Sequence, residues 1–530
     1  MARYKPTSRD PLLLPVILSE QIQPGTFEFA LDHLVDHELD LSQLDARFNN
    51  DETGASAYDP RVMLKIVLLA YSRGLISSRG IERACRQSVL FMALSGDSQP
   101  SYTHIAKFVR ELGEQIRPLF TQVLLTCDRQ GLIGRQMFAI DGVKLPSNAS
   151  KERSGTHGEL RHRADRLDKA ARKMIELHQS KDAGGDDRAG QSDRQQRIEA
   201  LQREAQATRE FLAQNQPRRN ARGQELKSNA TDNDSAKMAT SKGVIQGYAA
   251  QAAVDASCQV IVAAEVSGSG SEQAMLLPMI EQSGGVRAEH TVITADAGYH
   301  SQENMRALLD AGVAAMVADG LMRKRDERLA AQARHKAKPD PLYDKTRSEK
   351  KQRVRLFRPA DFLVDNETNS CICPGGQRLY SNGSRCKTNG RIAHKYTGTL
   401  GGCGSCPLRE QCLRHPERTP VRQVSMFVKA QPGAHAATEL MKRAIDSARG
   451  RQIYSQRIAT VEPVFANIRH NKRLDRFTLR GKEKVGTQWR LYCLVHNIEK
   501  LARSGYRNCP GVKMDGNNDG VPCEQQWCKP

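Results

Sequence analysis

Apolar residues recur at helical spacing through the first quarter of the chain. The stretch "FEFALDHLVDHEL", which begins at Phe27, shows this period. In "DPRVMLKIVLLAYSRG", Asp59 stands at the N-cap and Pro60 at the first helical position. Similar patterns in "SRGIERACRQSVLFMALSG" and "SYTHIAKFVREL" predict two further short helices. The pattern therefore predicts an all-helical region over about residues 26–125.

Basic residues stand on the exposed sides of these short helices, and turns rich in Gly, Ser and Pro join them. This arrangement is typical of a helix-turn-helix DNA-binding domain. A plain helical bundle that docks on another domain fits the same segment equally well.

The hydrophobic period changes to that of strands after residue 130. The stretch "RQMFAIDGVKLPSN" predicts a strand that ends on Asp141 and Gly142. "GYAAQAAVDA" and "CQVIVAAEV" predict a pair of strands joined by a tight turn. "HTVITADAGYHS" predicts a strand that ends at Asp296.

Helices are predicted between these strands. They lie at "EQAMLLPMIEQSG" and at "SQENMRALLDAG", where Ser301 is the expected N-cap, and "VAAMVADG" follows as another strand. This order predicts an α/β fold with a mixed sheet. A polar helical hairpin interrupts it, with two apolar stripes on either side of the turn "SKDAGGDDRAGQSD". The stripes consist of Leu160, Ala164, Leu167, Ala171 and Met174, and of Ile198, Leu201, Ala205 and Leu212.

The chain has 530 residues, which favours two to four domains over one hydrophobic core. It carries 80 Lys and Arg against 60 Asp and Glu, a formal net charge of +20. This excess favours a polyanionic partner, of which nucleic acid is the commonest. No apolar run is long enough to span a bilayer and no export leader opens the chain, so we expect a cytoplasmic, nucleoid-associated protein.

Three carboxylates are candidates for metal-dependent chemistry. Asp141 and Asp296 close strands, and Glu462 lies on the edge of an apolar run in "YSQRIATVEPVFANIR". Carboxylates that converge are tolerated when cations lie between them, and such oxygen ligands suit Mg²⁺ or Mn²⁺. Two such ions about 4 Å apart can activate a water or a 3′-hydroxyl and stabilise the leaving oxygen of a phosphodiester. Taken singly, each Asp also fits a turn residue and Glu462 a solvated surface residue.

Pro463 directly follows Glu462, and its ring disfavours helical geometry at the preceding residue. We therefore expect Glu462 at the start of a helix or at a kink. The apolar neighbours of Glu462 are expected to pack this helix onto the sheet that carries the two aspartates. These neighbours are Val461, Val464, Phe465 and Ile468.

Cysteines cluster in the last third of the chain. Of the 13 Cys, six are Cys371, Cys373, Cys386, Cys403, Cys406 and Cys412. Clustering in a chain without an export leader indicates metal binding, and Cys403-x-x-Cys406 has the spacing that lets two thiolates reach one tetrahedral Zn²⁺. Cys373 and Cys412 complete the candidate set, although Cys371 or Cys386 fits in place of Cys373. Reduced, unpaired thiols are the alternative. A structural zinc here would fold a core-poor insertion.

Seven stretches between about residues 15 and 505 carry a resemblance to a known family. They are "FAIDGVKLPSNAS", "GYAAQAAVD", "TADAGYHSQEN", "FRPADF", "CPLREQC", "YSQRIATVEPVFANIR" and "LVHNIEKLAR". Together they resemble the DDE transposases of bacterial insertion sequences. By motif, the family's catalytic carboxylates correspond to Asp141, Asp296 and Glu462, which would hold two Mg²⁺ or Mn²⁺ ions. The family's cysteine pattern also matches the four zinc candidates.

A second family signature consists of Tyr, Arg, Glu and Lys, and it resembles Tyr454, Arg457, Glu462 and Arg469. Four residues rather than the usual three separate Arg457 from Glu462, and Arg469 stands where Lys is common. Arginine also binds phosphate. The resemblance implies that Tyr454, Arg457 and Arg469 position DNA phosphates. Lys144 and His300 are further candidates for DNA contact that also fit ordinary loop residues.

The resemblance implies an RNase H-like α/β core with an all-helical N-terminal domain, a helical-hairpin insertion and a Cys-rich, zinc-ribbon-like insertion. It implies metal-dependent cleavage of double-stranded DNA at terminal repeats, followed by strand transfer to target DNA. Pairing of two DNA ends implies at least a dimer. A catalytically silent DNA-binding descendant is the alternative, and the presence of all three carboxylates favours the active enzyme. The basic charge and the cysteine block disfavour a sugar hydrolase built on two acids.

These patterns divide the chain into five parts. The predicted parts are a helical DNA-binding domain (1–130), the first part of the core (131–322) with a helical insertion (about 155–230), a basic loop with the Cys-rich insertion (323–435), the C-terminal helices of the core (436–507) and a tail (508–530).

The tail "NCPGVKMDGNNDGVPCEQQWC" resembles part of an Excalibur calcium-binding domain. Its candidate calcium ligands are Asp515, Asn517, Asp519 and Glu524. Only half of such a domain is present, and these modules are mostly extracytoplasmic. We favour a reading frame that has run into, or been fused with, a neighbouring gene over a functional Ca²⁺ site.

Overall fold

The computed structural model describes residues 15–47, 56–182, 188–220, 223–240, 243–326, 356–365, 368, 370–388, 391–427 and 436–505. The chain divides into two compact units. The core unit comprises Met1–Tyr343 and Leu440–Pro530, and the Cys-rich unit comprises Asp344–Glu439. No helix in the described ranges is long and apolar enough to cross a membrane.

Helices make up the described N-terminal part of the core unit. They are α1 (Phe27–His37), α2 (Ser42–Asp45), α3 (Pro60–Ser72), α4 (Ser78–Gln87), α5 (Val89–Ser95), α6 (Tyr102–Glu111) and α7 (Ile116–Arg129). The Asp59 side chain caps α3 by accepting the N–H of Arg61 at 2.7 Å, and Pro60 occupies the first position. The helical character predicted for residues 26–125 is confirmed over the described positions.

A mixed sheet follows the helices. The strands of the core unit are β1 (Met137–Pro146), β2 (Ser154–Gly155), β3 (Ser228–Asn229), β4 (Ala236–Thr240), β5 (Gly243–Asp255), β6 (Ile261–Ser267), β7 (Val292–Ala295) and β8 (Ala315–Val317). The order β6–β5–β1–β7–β8 places β5 antiparallel to both β1 and β6, whereas β7 and β8 run parallel to β1 and to each other. β4 pairs with the start of β5, and β2 pairs with β3 separately. This mixed α/β arrangement is consistent with an RNase H-like core.

The prediction that the first strand ends on Asp141 is wrong. β1 continues to Pro146 because β5 pairs with it on both sides of this residue, with Asp141 opposite Ala252 and Lys144 opposite Ala249. The pairing that ends next to Asp141 is that of β1 with β7 on its other edge, since β7 pairs only with Met137–Ile140.

Helices alternate with these strands. They are α8 (His157–Asp182), α9 (Arg188–Gln214), α10 (Leu276–Gln282), α11 (Gln302–Asp310) and α12 (Met322–Arg325). α8 and α9 pack against each other, and an ion pair of 2.8 Å joins Arg163 of α8 to Glu204 of α9. The Ser301 side chain caps α11 as predicted, since it accepts the N–H of Asn304 at 3.0 Å.

The Cys-rich unit contains a five-stranded antiparallel sheet in the order β13–β12–β11–β10–β9. Its elements are β9 (Leu363–Asp365), β10 (Ser370–Ile372), β11 (Arg378–Thr388), β12 (Arg391–Thr397), α13 (Leu400–Gly404), α14 (Arg409–Cys412) and β13 (Gln423–Phe427). Its described apolar core is small and consists of Phe362, Cys371, Leu379, Tyr396 and Val424.

The chain then returns to helix with α15 (Ala436–Asp446), α16 (Ala448–Ala466) and α17 (Lys482–Arg503). α17 is buried along most of its length and packs on α1, α3, α7 and β6. The Asn497 amide bridges it to β6, since Oδ1 accepts the Ile261 N–H and Nδ2 donates to the Ile261 carbonyl, each at 2.9 Å. The Tyr492 ring stacks on Tyr71 of α3 with centroids 4.5 Å apart.

Of the two alternatives expected for Glu462, the start of a helix is wrong, because α16 runs from Ala448 through Pro463 to Ala466, and a kink stays a prediction. Proline has no N–H to donate to the carbonyl four residues earlier, which is that of Ala459. The Gln259 side chain donates to this carbonyl at 3.3 Å and so supplies a partner that the helix cannot. A π-helical turn, Asn467–Asn471, follows the helix.

Candidate active site

Strand register brings Asp141 and Asp296 together. Ile140 of β1 lies opposite Ala295 of the parallel strand β7, so the next residues on the two neighbouring strands are the aspartates. Backbone N–H groups hold both carboxylates, since Asp141 Oδ1 accepts from Gly142 and Asp296 Oδ1 accepts from Gly298, each at 2.8 Å. Both side chains are half-buried.

Arg457 of α16 faces the first aspartate. Its Nη1 lies 2.9 Å from Asp141 Oδ2, and its residue is only 8% exposed. Burial raises the pKa of Asp141, the Arg457 charge and the Gly142 N–H lower it, and the Asp296 charge raises it, with a net rise. The repulsion between the two aspartates shows that they share one electrostatic site.

The Nε of Arg457 is buried and has no hydrogen-bond acceptor within the described residues. Its Nη1 forms the ion pair with Asp141 Oδ2. The guanidinium lies 5.7 Å from the centre of the Tyr454 ring. Burial raises the pKa of Tyr454, and so do the charges of Asp296 and Asp141, while Arg457 lowers it. Buried donors without acceptors suit an anionic ligand such as phosphate.

The structure adds a carboxylate that the sequence analysis missed. Glu272 precedes α10 and is half-buried. Burial raises the pKa of Glu272 to about 7, Lys144 lowers it, and Asp296 and Asp141 raise it further. Sequence provided only an acidic residue at the start of a predicted helix, which is an ordinary place for one.

Glu462 does not join this group. Its side chain is exposed, whereas its neighbours Val461 and Val464 are fully buried. In the described chain no hydrogen bond or ion pair involves Glu462. Five residues along a helix turn the side-chain direction by about 140°, so a continuous α16 that directs Arg457 inward directs Glu462 elsewhere. The packing predicted for Val461, Val464, Phe465 and Ile468 is confirmed by their burial.

The remaining predicted DNA contacts fall at different places. Lys144 is half-buried on β1, and its positive charge lowers the pKa of Glu272. Arg469 lies in the π-helical turn, and its buried Nε has no hydrogen-bond partner in the described ranges. His300 follows Asp296 by four residues; burial lowers its pKa, and Asp319 opposes this effect. Its Nε2 is also buried without a described partner.

In the Cys-rich unit, one cavity is lined by Cys373, Cys403, Cys406 and Cys412. Burial raises the pKa of Cys412, and the other three thiols raise it further. The Gln377 N–H donates to Cys373 Sγ at 3.3 Å, a contact that stabilises a thiolate. Cys371 is instead fully buried in the apolar core of the small sheet.

Metal binding was tested against these arrangements. Within the ranges that the structure describes, no three or more His, Cys, Asp or Glu side chains lie close enough to hold a metal ion as they stand. The donor atoms at both candidate sites suit the expected ions. The carboxylates of the core unit suit Mg²⁺ or Mn²⁺, and thiolates in the Cys-rich unit suit Zn²⁺. The calcium candidates Asp515, Asn517, Asp519 and Glu524 lie outside the described residues.

Two family models match the chain. Residues 372–502 match the model described as "Transposase DDE domain". Residues 16–111 match the model described as "Transposase domain (DUF772)". No curated protein matches the chain. The first match includes Glu462 and the four zinc-candidate cysteines, whereas Asp141 and Asp296 lie in the stretch between the two matches.

Proposed function

We propose a chemistry for this chain, which its two family matches identify as a DDE transposase of an insertion sequence. In this proposal the protein binds the terminal repeats of its element, cleaves double-stranded DNA there and transfers the freed 3′ ends to target DNA. Membership of the transposase families implies a DNA partner, and the net charge of +20 supports one.

The observation that carries the proposal is the pairing of Asp141 with Asp296 beside a buried arginine. Two half-buried carboxylates on adjacent parallel strands repel each other, and a divalent cation would relieve this repulsion. We assign Asp141 and Asp296 as ligands of Mg²⁺ or Mn²⁺. Glu462 is assigned as the third acidic residue on its motif alone. When bound, two such ions activate the attacking oxygen and stabilise the leaving one.

The chain's own residues position the substrate. Arg457 binds a phosphate through its Nε, which lacks a described acceptor, and Tyr454 packs beside its guanidinium. Arg469 and His300 each offer a buried nitrogen without a described partner. Lys144 supplies positive charge at the edge of the acidic group. These residues are proposed to hold the DNA backbone, and pairing of two DNA ends makes the active complex at least a homodimer.

The four cysteines are proposed to bind one structural Zn²⁺ in the Cys-rich unit. Their shared cavity and the N–H contact to Cys373 support this assignment. The zinc would stabilise a unit whose described apolar core has few residues, and it takes no part in the reaction.

The test is cleavage of a DNA duplex that carries the end of the element, with Mg²⁺ and full-length protein. Wild type should cut at the end, and Asp296→Ala should bind the duplex without cutting it. Asp310→Ala, which changes an exposed carboxylate on α11, is the matched control and should cut normally. Wild-type protein that binds the duplex but never cuts it would support the alternative, a catalytically silent DNA-binding protein.

A further inference from the structure

The acidic site contains a carboxylate that the transposase motif does not include. Glu272 lies in the connection between β6 and α10, and the charges of Asp296 and Asp141 act on its carboxylate. Hydrogen bonds beside Glu272, the space at Gly298 and the charges around the acids bear on this position.

Side-chain amides fix the backbone beside Glu272. Asn304 Nδ2 donates to the carbonyls of Gln273 and Tyr299, each at 2.8 Å. Gln273 Nε2 donates to the carbonyl of His300 at 3.0 Å. The Glu272 segment is therefore tied to the loop that follows Asp296.

Gly298 shows how closely the two acids approach. A Cβ at this position would collide with Glu272 Oε2 and would lie 2.9 Å from Asp296 Oδ1. Both carboxylate oxygens thus converge over a residue that has no side chain. Gly298 also donates its N–H to Asp296 Oδ1, so the backbone holds one of the two acids in place.

This convergence has no described counter-ion on the Glu272 side. Arg457 is the cation that pairs with Asp141, and no described ion pair involves Glu272 or Asp296. Lys144 acts on Glu272 without forming an ion pair with it in the described chain. Beside the acids, the buried Nε of Arg457 has no described acceptor and suits an anionic group such as phosphate. A cation bound by the acids together with a phosphate on Arg457 satisfies both sides.

We propose that Glu272 is a ligand of the divalent metal ion held by Asp296, so that the metal site is built from β1, β7 and the β6–α10 connection. The proposal rests on the proposed function only in taking Asp141 and Asp296 as metal ligands. It assigns to Glu272 a direct contact with the ion once the ion is bound, since the three carboxylates as they stand in the described residues do not form a metal site.

Metal binding tests this directly. Full-length protein with its end duplex is titrated with Mn²⁺ and free Mn²⁺ is measured by electron paramagnetic resonance. Glu272→Gln should weaken Mn²⁺ binding by at least about tenfold, as expected when a group that holds a metal is lost. Glu281→Gln, at an exposed position on α10, is the matched control and should bind as wild type. Wild-type affinity in folded Glu272→Gln would overturn the proposal.

A second measurement needs no variant. Fe²⁺ with ascorbate and peroxide cuts the backbone near a bound ion, and cuts are expected near residues 141, 272 and 296. Cuts near 141 and 296 with none near 272 would also overturn the proposal, even where Glu272→Gln fails to fold. If Asp296→Ala abolishes DNA cleavage while Glu272→Gln keeps it and binds Mn²⁺ normally, the proposed function stands and this inference falls. If wild type binds Mn²⁺ at Glu272 but never cuts DNA, the reverse holds.

Discussion

In the core unit, the candidate carboxylates Asp141 and Asp296 lie within a paired strand and directly after one, whereas in the Cys-rich unit the candidate thiols lie in loops and single helical turns. Asp141 lies inside a strand that pairs on both edges up to the residue before it. Cys373 and Cys406 lie between short elements around a small apolar core. We expect the first site to keep its geometry without a ligand because backbone N–H groups hold both carboxylates, and we expect the second site to need an ion to fix it.

The two sites also differ in how they handle charge. In the core unit an arginine of the chain already faces an aspartate, so some of the repulsion is offset before any metal binds. In the Cys-rich unit, burial raises the pKa of Cys412, Arg422 lowers it, and the other three thiols raise it further. Metal loss should therefore impair DNA cleavage by the core unit and folding of the Cys-rich unit.

The largest expected effect is on the Cys-rich unit. Cys403→Ser with Cys406→Ser should remove zinc from the purified protein and cost that unit about 10 kcal/mol of folding free energy. Zinc content by mass spectrometry and proteolysis of residues 356–427 measure the two changes. Cys386→Ser is the matched control and should retain the metal. Purified wild-type protein that contains no zinc and yet resists protease would contradict the expectation that zinc folds the Cys-rich unit.

Next in size is the loss of Glu462. A metal ion contributes several kcal/mol to the transition state, so Glu462→Gln should slow DNA cleavage by about 10³-fold. The free energy of unfolding of Glu462→Gln should differ from that of wild type by no more than about 0.5 kcal/mol, because the Glu462 side chain is exposed. Glu483→Gln, an exposed position at the start of α17, should alter neither quantity. Normal cleavage by Glu462→Gln would remove this residue from the site.

The buried ion pair should show a smaller effect on stability. Arg457→Met leaves the half-buried Asp141 without its cation and should lower the free energy of unfolding by about 3 kcal/mol. The double variant Arg457→Met with Asp141→Asn should recover most of this loss. Urea unfolding of the four proteins in a double-mutant cycle measures the coupling. A coupling near zero would mean that the core site is not prearranged by charge.

The smallest effect concerns pH. Burial and the charges of Lys500, Lys472 and Arg503 hold the pKa of His496 well below its usual range, and the Gln259 carbonyl opposes this. The unfolded chain therefore takes up a proton below about pH 6.5 that the folded chain does not, so stability should fall as pH drops.

Between pH 7 and pH 5 the expected loss is about 2 kcal/mol. Urea unfolding at several pH values measures it, and His496→Gln should flatten the profile over this range. If His496→Gln lost as much stability between pH 7 and pH 5 as wild type, the effect would belong to other titrating groups.

Sequence patterns predicted most of the secondary structure because helical and strand periods are local properties. They also placed both aspartates at the ends of predicted strands. They could not predict that β1 continues past Asp141, because its pairing with β5 beyond this residue is a long-range contact.

Long-range contacts explain the other differences. Glu272 approaches Asp296 through the amides of Asn304 and Gln273, which no local pattern reveals. α16 runs through Pro463 with a hydrogen bond from Gln259, which is 200 residues away in sequence. A motif alone contains no information about that contact.

Helix α17 has a mechanical consequence. It packs on three N-terminal helices and on β6, and its Asn497 amide and Tyr492 ring anchor it at both contacts. The N-terminal helices and the sheet that carries the aspartates are therefore joined through one long helix. If those helices bind the duplex, as their pattern predicts, α17 would link that contact to the carboxylates and influence how many base pairs separate the bound sequence from the cut.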